Sequence, residues 1–247
     1  MDTGRRRRHS GLERPLRDLR EPLSGRTLDA LYEWEPPQRP LVTYGILWLC
    51  LLVTIPTLIR PELYAVLGGI EPRRYPWQLF TAAFEHGWPG FHGSIHLTLN
   101  AFLILECGRP CERLLGSARF LALCLLSLGA NAVAQLLVGG VNGSSLLIWA
   151  WGPPLFVALR SARRATPEIA KDPVHGRLQA ILLLIYVAIP LAMTLVPYAA
   201  GWRGNPVAGF FRANAFHLVA ASVGAAFSVI HADWIRRRLF SLGGARS

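Results

Sequence analysis

Six stretches of the chain stay apolar for about 20 residues each and are bounded by charge, Gly or Pro; they fall near 41–60, 94–115, 118–139, 142–160, 178–200 and 213–235. A helix needs about 20 such residues to cross the hydrocarbon core of a bilayer, so the pattern predicts six transmembrane helices and an all-α, polytopic membrane bundle. Polar positions break the pattern at few places. His96 and Asn100 sit in the second stretch, Asn142 heads the fourth, and His217 lies inside the sixth. Pro153-Pro154 should kink the fourth helix and free backbone carbonyls. Residues 1–40 carry no apolar run, so they are expected to form a basic, disordered cytoplasmic tail rather than a signal peptide or a span. The membrane domain is then 41–235, and 236–247 is a short basic cytoplasmic tail.

Composition agrees with a lipid solvent: 52% of the 247 residues are hydrophobic, 17% are charged, and the mean hydropathy is +0.32. The formal charge of +11 is distributed unevenly. With six spans, the N-terminal tail, the 109–119 turn, the 160–177 loop and the C-terminal tail hold 21 basic residues, and the opposite side holds five, Arg60, Arg73, Arg74, Arg203 and Arg212. The positive-inside rule places both termini in the cytoplasm. Basic tails beside a membrane fit anionic lipid headgroups and not nucleic acid.

Polar side chains at membrane depth cost free energy, so those that persist mark candidate function. His96 and Asn100 are four apart, on one helical face, and both can donate hydrogen bonds. The turn GGVNGSS, 139–145, sets close-approach glycines, Gly140 and Gly143, around Asn142. His217 shares its face with Ala220 and Gly224, a small-residue groove where another helix can come close. Each residue alone could be a structural hydrogen-bond partner. His86 and His92 in the outward loop are read as interfacial packing rather than metal ligands, and Cys107 with Cys111 as packing. No metal or cofactor is expected.

Together these residues resemble the rhomboid family of intramembrane serine proteases. YPWQLFTAAFEHG resembles the outward loop ahead of that family's second helix, and His96 with Asn100 matches HLxxN. Gly108, Glu112 and Gly116 match GxxxExxxG, Gly140-Val141-Asn142-Gly143 occupies the GxSG position, and His217 with Gly224 matches the last helix. Departures include Gln78 where the family often has Arg, and Ala220 in place of a glycine. The resemblance implies that His217 is a general base, that His96 and Asn100 stabilise an oxyanion, and that transmembrane segments of other membrane proteins are the partners. The expected location is a bacterial plasma membrane.

In this register the nucleophile position holds Asn142, and a carboxamide cannot attack a peptide carbonyl. Three functions follow as expectations, of which the sequence favours the first, with the other two as alternatives. A pseudoprotease would bind transmembrane segments of client proteins without cutting them. An active endopeptidase would use Ser145 with His217, although Ser145 lies about 4.5 Å deeper along the helix than position 142. A small transporter would line a polar path with His96, Asn100, Asn142 and His217.

Overall fold

The computed structural model describes residues 26–33, 39–68, 71–86, 91–138, 145–199 and 206–244, and the regular structure among them is helical throughout. In chain order α1 is Arg26–Asp29, α2 is Leu41–Ile59, and two short helices follow, α3 (Tyr64–Leu67) and α4 (Gln78–Thr81). Helix α5 (Phe91–Leu103) runs through a π turn, Ile104–Gly108, into α6 (Arg109–Leu115). Next come α7 (Ser117–Val138), α8 (Ser145–Ala165) and α9 (Pro173–Leu183), the last continuing through a second π turn, Leu184–Ala188, into α10 (Ile189–Ala199). Helix α11 (Pro206–Ile230) then meets α12 (Ala232–Gly244), with a bend of 75° between Asn214–Ile230 and Ala232–Leu242.

Helix α8 is the centre of the bundle, in contact with α7, α9, α11, α12 and the first π turn. Leu146 to Gly152 are buried without a break, as are Leu155, Ala158 and Leu159. Because its neighbours shield it from lipid, α8 need not be aliphatic all round. Its two prolines have a local consequence: lacking N–H groups, Pro153 and Pro154 leave the carbonyls of Trp149 and Ala150 without their helical donors. The Tyr186 hydroxyl donates to the first of these carbonyls. The second faces Gly224 of α11 so closely that a Cβ there would overlap the Ala150 oxygen. Small residues thus let α8 and α11 meet backbone to backbone, with Ala220 fully buried one turn away.

Three helical segments are long and apolar enough to cross a membrane: Leu41–Ile59, Ser117–Leu137 and Pro173–Met193. The bent pair α11 and α12 makes a fourth if taken as one span. The protein is an integral membrane protein. The expected second and fourth spans fall short of that measure for visible reasons. The second is broken by its π turn and carries Glu106, Arg109, Glu112 and Arg113, and the fourth exchanges aliphatic residues for Trp149, Trp151, Gly152, Pro153 and Pro154.

The buried Glu112 joins the start of α2 to the 108–117 turn. Its carboxylate accepts from the backbone N–H groups of Val42 (3.2 Å) and Thr43 (2.9 Å) and from the hydroxyls of Thr43 (2.8 Å) and Ser117 (2.7 Å). Helix α2 begins after Pro40 with no side-chain cap of its own, so Glu112 satisfies two orphan donors from 70 residues away. Gly108 permits this approach, since a Cβ there would lie 2.8 Å from Thr43, and Gly116 turns the chain at φ +77°.

Both expected tails are corrected in part. Within 1–40, residues 26–33 pack into the bundle: Leu28 and Leu31 are fully buried, and the Tyr32 hydroxyl donates to the Glu106 carbonyl. The i, i+3 pair of leucines supplies an apolar edge that a count over the whole tail conceals. Residues 1–25 and 34–38 lie outside the described residues. The tail expected from 236 is mostly helix α12, whose Ile235, Leu239 and Leu242 are buried, each contributing on the order of 2 kcal/mol of burial.

Candidate active site

Ser145 is the first residue of α8, and its Oγ lies 2.9 Å from Nε2 of His217 on α11. The close approach of the two helices at Gly224, two turns further along α11, fixes this distance from below. One turn along α8, on the same face as Ser145, the Trp149 ring packs against the imidazole with centroids 5.0 Å apart and planes at 32°. Tyr186 in turn packs on Trp149 at 4.8 Å and donates to its carbonyl. The imidazole is therefore held at one edge by a hydroxyl and on one face by an indole. Its Nδ1 is buried with no hydrogen-bond partner among the described residues. Among the described residues no carboxylate bonds to the ring, and aromatic packing orients it instead.

These groups border a cavity of about 340 Å³, lined also by His96 and Asn100 of α5 and by aliphatic side chains such as Leu103, Ile148 and Ile189. Asn100 is buried and spends one amide N–H on the His96 carbonyl, 2.9 Å away. An amide carries two N–H donors, so the other is free to serve the cavity. Among the described residues no Asp or Glu lines the cavity, and no cluster of His, Cys, Asp or Glu could hold a metal ion.

Behind His96 stands His86, in the turn after α4, its ring edge-on at 5.4 Å and 70°. The His86 Nδ1 lies 3.0 Å from the Phe84 carbonyl and 3.3 Å from the Thr54 hydroxyl. Since the carbonyl can only accept, Nδ1 carries the proton of the neutral ring. Burial first, and the facing His96 second, push the His86 imidazole down to about 3. His86 is neutral at physiological pH and acts as a fixed wall for His96.

A family model described as Rhomboid domain matches residues 73–234. The chain belongs to the rhomboid family. No curated protein and no solved structure matches it. Within the rhomboid domain, four of the residues singled out in the sequence, His96, Asn100, Ser145 and His217, come together in one cavity. Asn142, Gly140 and Gly143 lie outside the described residues. The hydroxyl that meets the imidazole is that of Ser145, the alternative nucleophile of the sequence reading, despite its greater depth along the helix. Reading the GxSG pattern three residues later accounts for this: Gly143-Ser144-Ser145 meets its first three positions, with Leu146 in place of the second glycine. Trp149 and Tyr186 were not anticipated. Trp149 had a signal, an aromatic four residues after Ser145 on the same helical face; Tyr186 had none, because its partner is a carbonyl exposed only by a proline on another helix.

Proposed function

We propose that this rhomboid-family protein is an intramembrane serine endopeptidase in which Ser145 is the nucleophile and His217 the general base, acting on transmembrane segments of other membrane proteins. The observation that carries the reading is the 2.9 Å contact between the Ser145 hydroxyl and Nε2 of His217 at the edge of a cavity. As the Oγ attacks a peptide carbonyl carbon, its proton passes to Nε2, and the carbonyl π electrons move onto oxygen. N–H groups of His96 and Asn100 on the facing wall are suited to stabilise that oxyanion; losing one such donor typically costs about a hundredfold to a thousandfold. When the tetrahedral species collapses, the C–N bond breaks and His217 returns the proton to the leaving amine. Water, activated by the same imidazole, then cleaves the acyl ester. The proton on Nδ1 never leaves the ring, so aromatic packing can replace an orienting carboxylate.

In this reading Asn142 is not part of the chemistry. The full bundle has six spans with both termini cytoplasmic, consistent with the distribution of basic residues, and the site lies toward the outer leaflet. A bacterial plasma membrane is the proposed location.

The test is cleavage of a transmembrane substrate with a destabilised helix by the purified protein in nanodiscs. Wild type cuts it, Asn142→Ala retains activity within about tenfold, and Ser145→Ala loses roughly a millionfold, as when the serine of a comparable protease is removed. An intact substrate with wild type, together with measurable binding of it, would instead favour a client-binding pseudoprotease. The transporter reading has least support, since among the described residues no acidic side chain lines the cavity.

A further inference from the structure

A second cavity, of about 580 Å³, opens further along the same face of α8, between that helix and α9 with its π turn. Its floor is Gly152, Pro153 and Tyr186. Phe156, Leu183 and Val187 form its walls and remain 57%, 54% and 47% exposed. At the C-terminal end of α8 the apolar lining stops and the groove meets Arg160, Arg163 and His175. Phe156, Arg160 and Arg163 follow the i, i+4, i+7 spacing of one helical face, so the cations continue the line of the apolar wall.

Three observations point to an occupant. Arg160 and Arg163 are exposed and form no ion pair among the described residues. Two acidic groups of this region are engaged: the Asp172 carboxylate accepts from the backbone N–H groups of Val174 and His175, and Glu106 is paired with Arg177. The His175 side chain is only 4% exposed, yet its Nδ1 has no hydrogen-bond partner among the described residues. Length completes the fit. From Pro153 to Arg163 the helix rises roughly 15 Å, about half the thickness of a bilayer's hydrocarbon core. Placed with Arg160 and Arg163 at headgroup level, a groove of this length reaches to near the bilayer centre.

We infer that this groove holds one anionic phospholipid, its phosphate on Arg160 and Arg163 at the end that His175 lines and one acyl chain along Phe156, Leu183 and Val187 down to Tyr186. A free phosphate would leave the apolar slot empty, and a zwitterionic lipid would place a compensating positive charge near two arginines. The site is separate from the Ser145 cavity and does not rest on the proteolytic reading.

Native mass spectrometry of the full chain in detergent, titrated with phosphatidylglycerol and with phosphatidylcholine of the same chains, tests it. Wild type is expected to retain one equivalent of phosphatidylglycerol with at least tenfold preference over phosphatidylcholine. Arg160→Gln combined with Arg163→Gln, both at exposed positions, should abolish that preference for the retained equivalent while leaving the basic tails untouched. Val187→Trp, which fills the slot from an exposed position, should weaken both lipids about tenfold. Inorganic phosphate at millimolar concentration should not displace the lipid. Unchanged phosphatidylglycerol retention in both variants would overturn the inference, and so would full displacement by inorganic phosphate.

Discussion

Two of the polar clusters buried among the described residues differ in how far their hydrogen bonds are satisfied. Around Glu112, two backbone N–H groups and two hydroxyls converge on one carboxylate. Around His217, one ring nitrogen meets Ser145, the other has no partner among the described residues, and a cavity opens in front. A closed cluster lowers the cost of burying polar groups and ties helices together. An open one retains that cost and keeps a donor and an acceptor ready for a substrate. Both stand at rhomboid motif positions, so motif membership alone does not separate structure from chemistry, whereas the state of the hydrogen bonds does.

The sharpest way to break this comparison is to remove one group from each cluster and compare readouts. Ser145→Ala should cost roughly a millionfold in turnover while leaving the thermal midpoint in detergent within a few degrees of wild type. Glu112→Ala should do the reverse. It strands the N–H groups of Val42 and Thr43, a loss on the order of 3 kcal/mol of stability, while turnover per folded molecule stays near wild type. If Glu112→Ala abolished turnover in protein that remains folded, the division of labour would be wrong.

Gly224→Ala tests the link between packing and site. Its methyl group would overlap the Ala150 carbonyl, pushing α11 off α8 and the imidazole away from Ser145. A shift of about 1 Å in a catalytic group costs about a hundredfold, so kcat should fall by that order with a stability loss of about 1–3 kcal/mol. Trp149→Leu removes the indole face beside His217 and part of the buried bulk with it, and a loss of roughly tenfold in kcat is expected, within the range for one aromatic contact.

The smallest effect is one of pH. The His86 imidazole is held down to about 3 in the fold against about 6.5 in an unfolded chain. With the folded value depressed, the unfolded state binds the extra proton first. Stability is therefore full above about 6.5 and declines as pH falls from there toward 3. Thermal midpoints from pH 7 to 5 should show that decline, and His86→Gln should flatten it.

Much of the site was legible in the sequence, but not its register. His96 and Asn100 were found because four residues is one helical turn, and His217 because an imidazole within an apolar run is expensive. Ser145 was recognised only as a fallback, since Asn142 has both glycines of the pattern, Gly140 and Gly143, whereas Ser145 has Gly143 but Leu146 in place of the second. A helix start cannot be fixed to better than a few residues from a glycine-rich turn. The packing of residues 26–33 and the bend before α12 were hidden for a different reason. Both depend on where distant apolar faces meet, and local composition read those segments as basic tails. Gln78 also gained a purpose, as it ties the loop back to the Glu71 N–H and the Ala65 carbonyl.

The central claim is that the hydroxyl poised for attack belongs to residue 145. A fluorophosphonate probe, followed by peptide mapping of the adduct, addresses it most directly. The account predicts a single phosphonylated serine at position 145 in wild type, and no label on His217→Ala or Ser145→Ala. Labelling at Ser144, or a folded wild-type protein that takes up no probe, would contradict it.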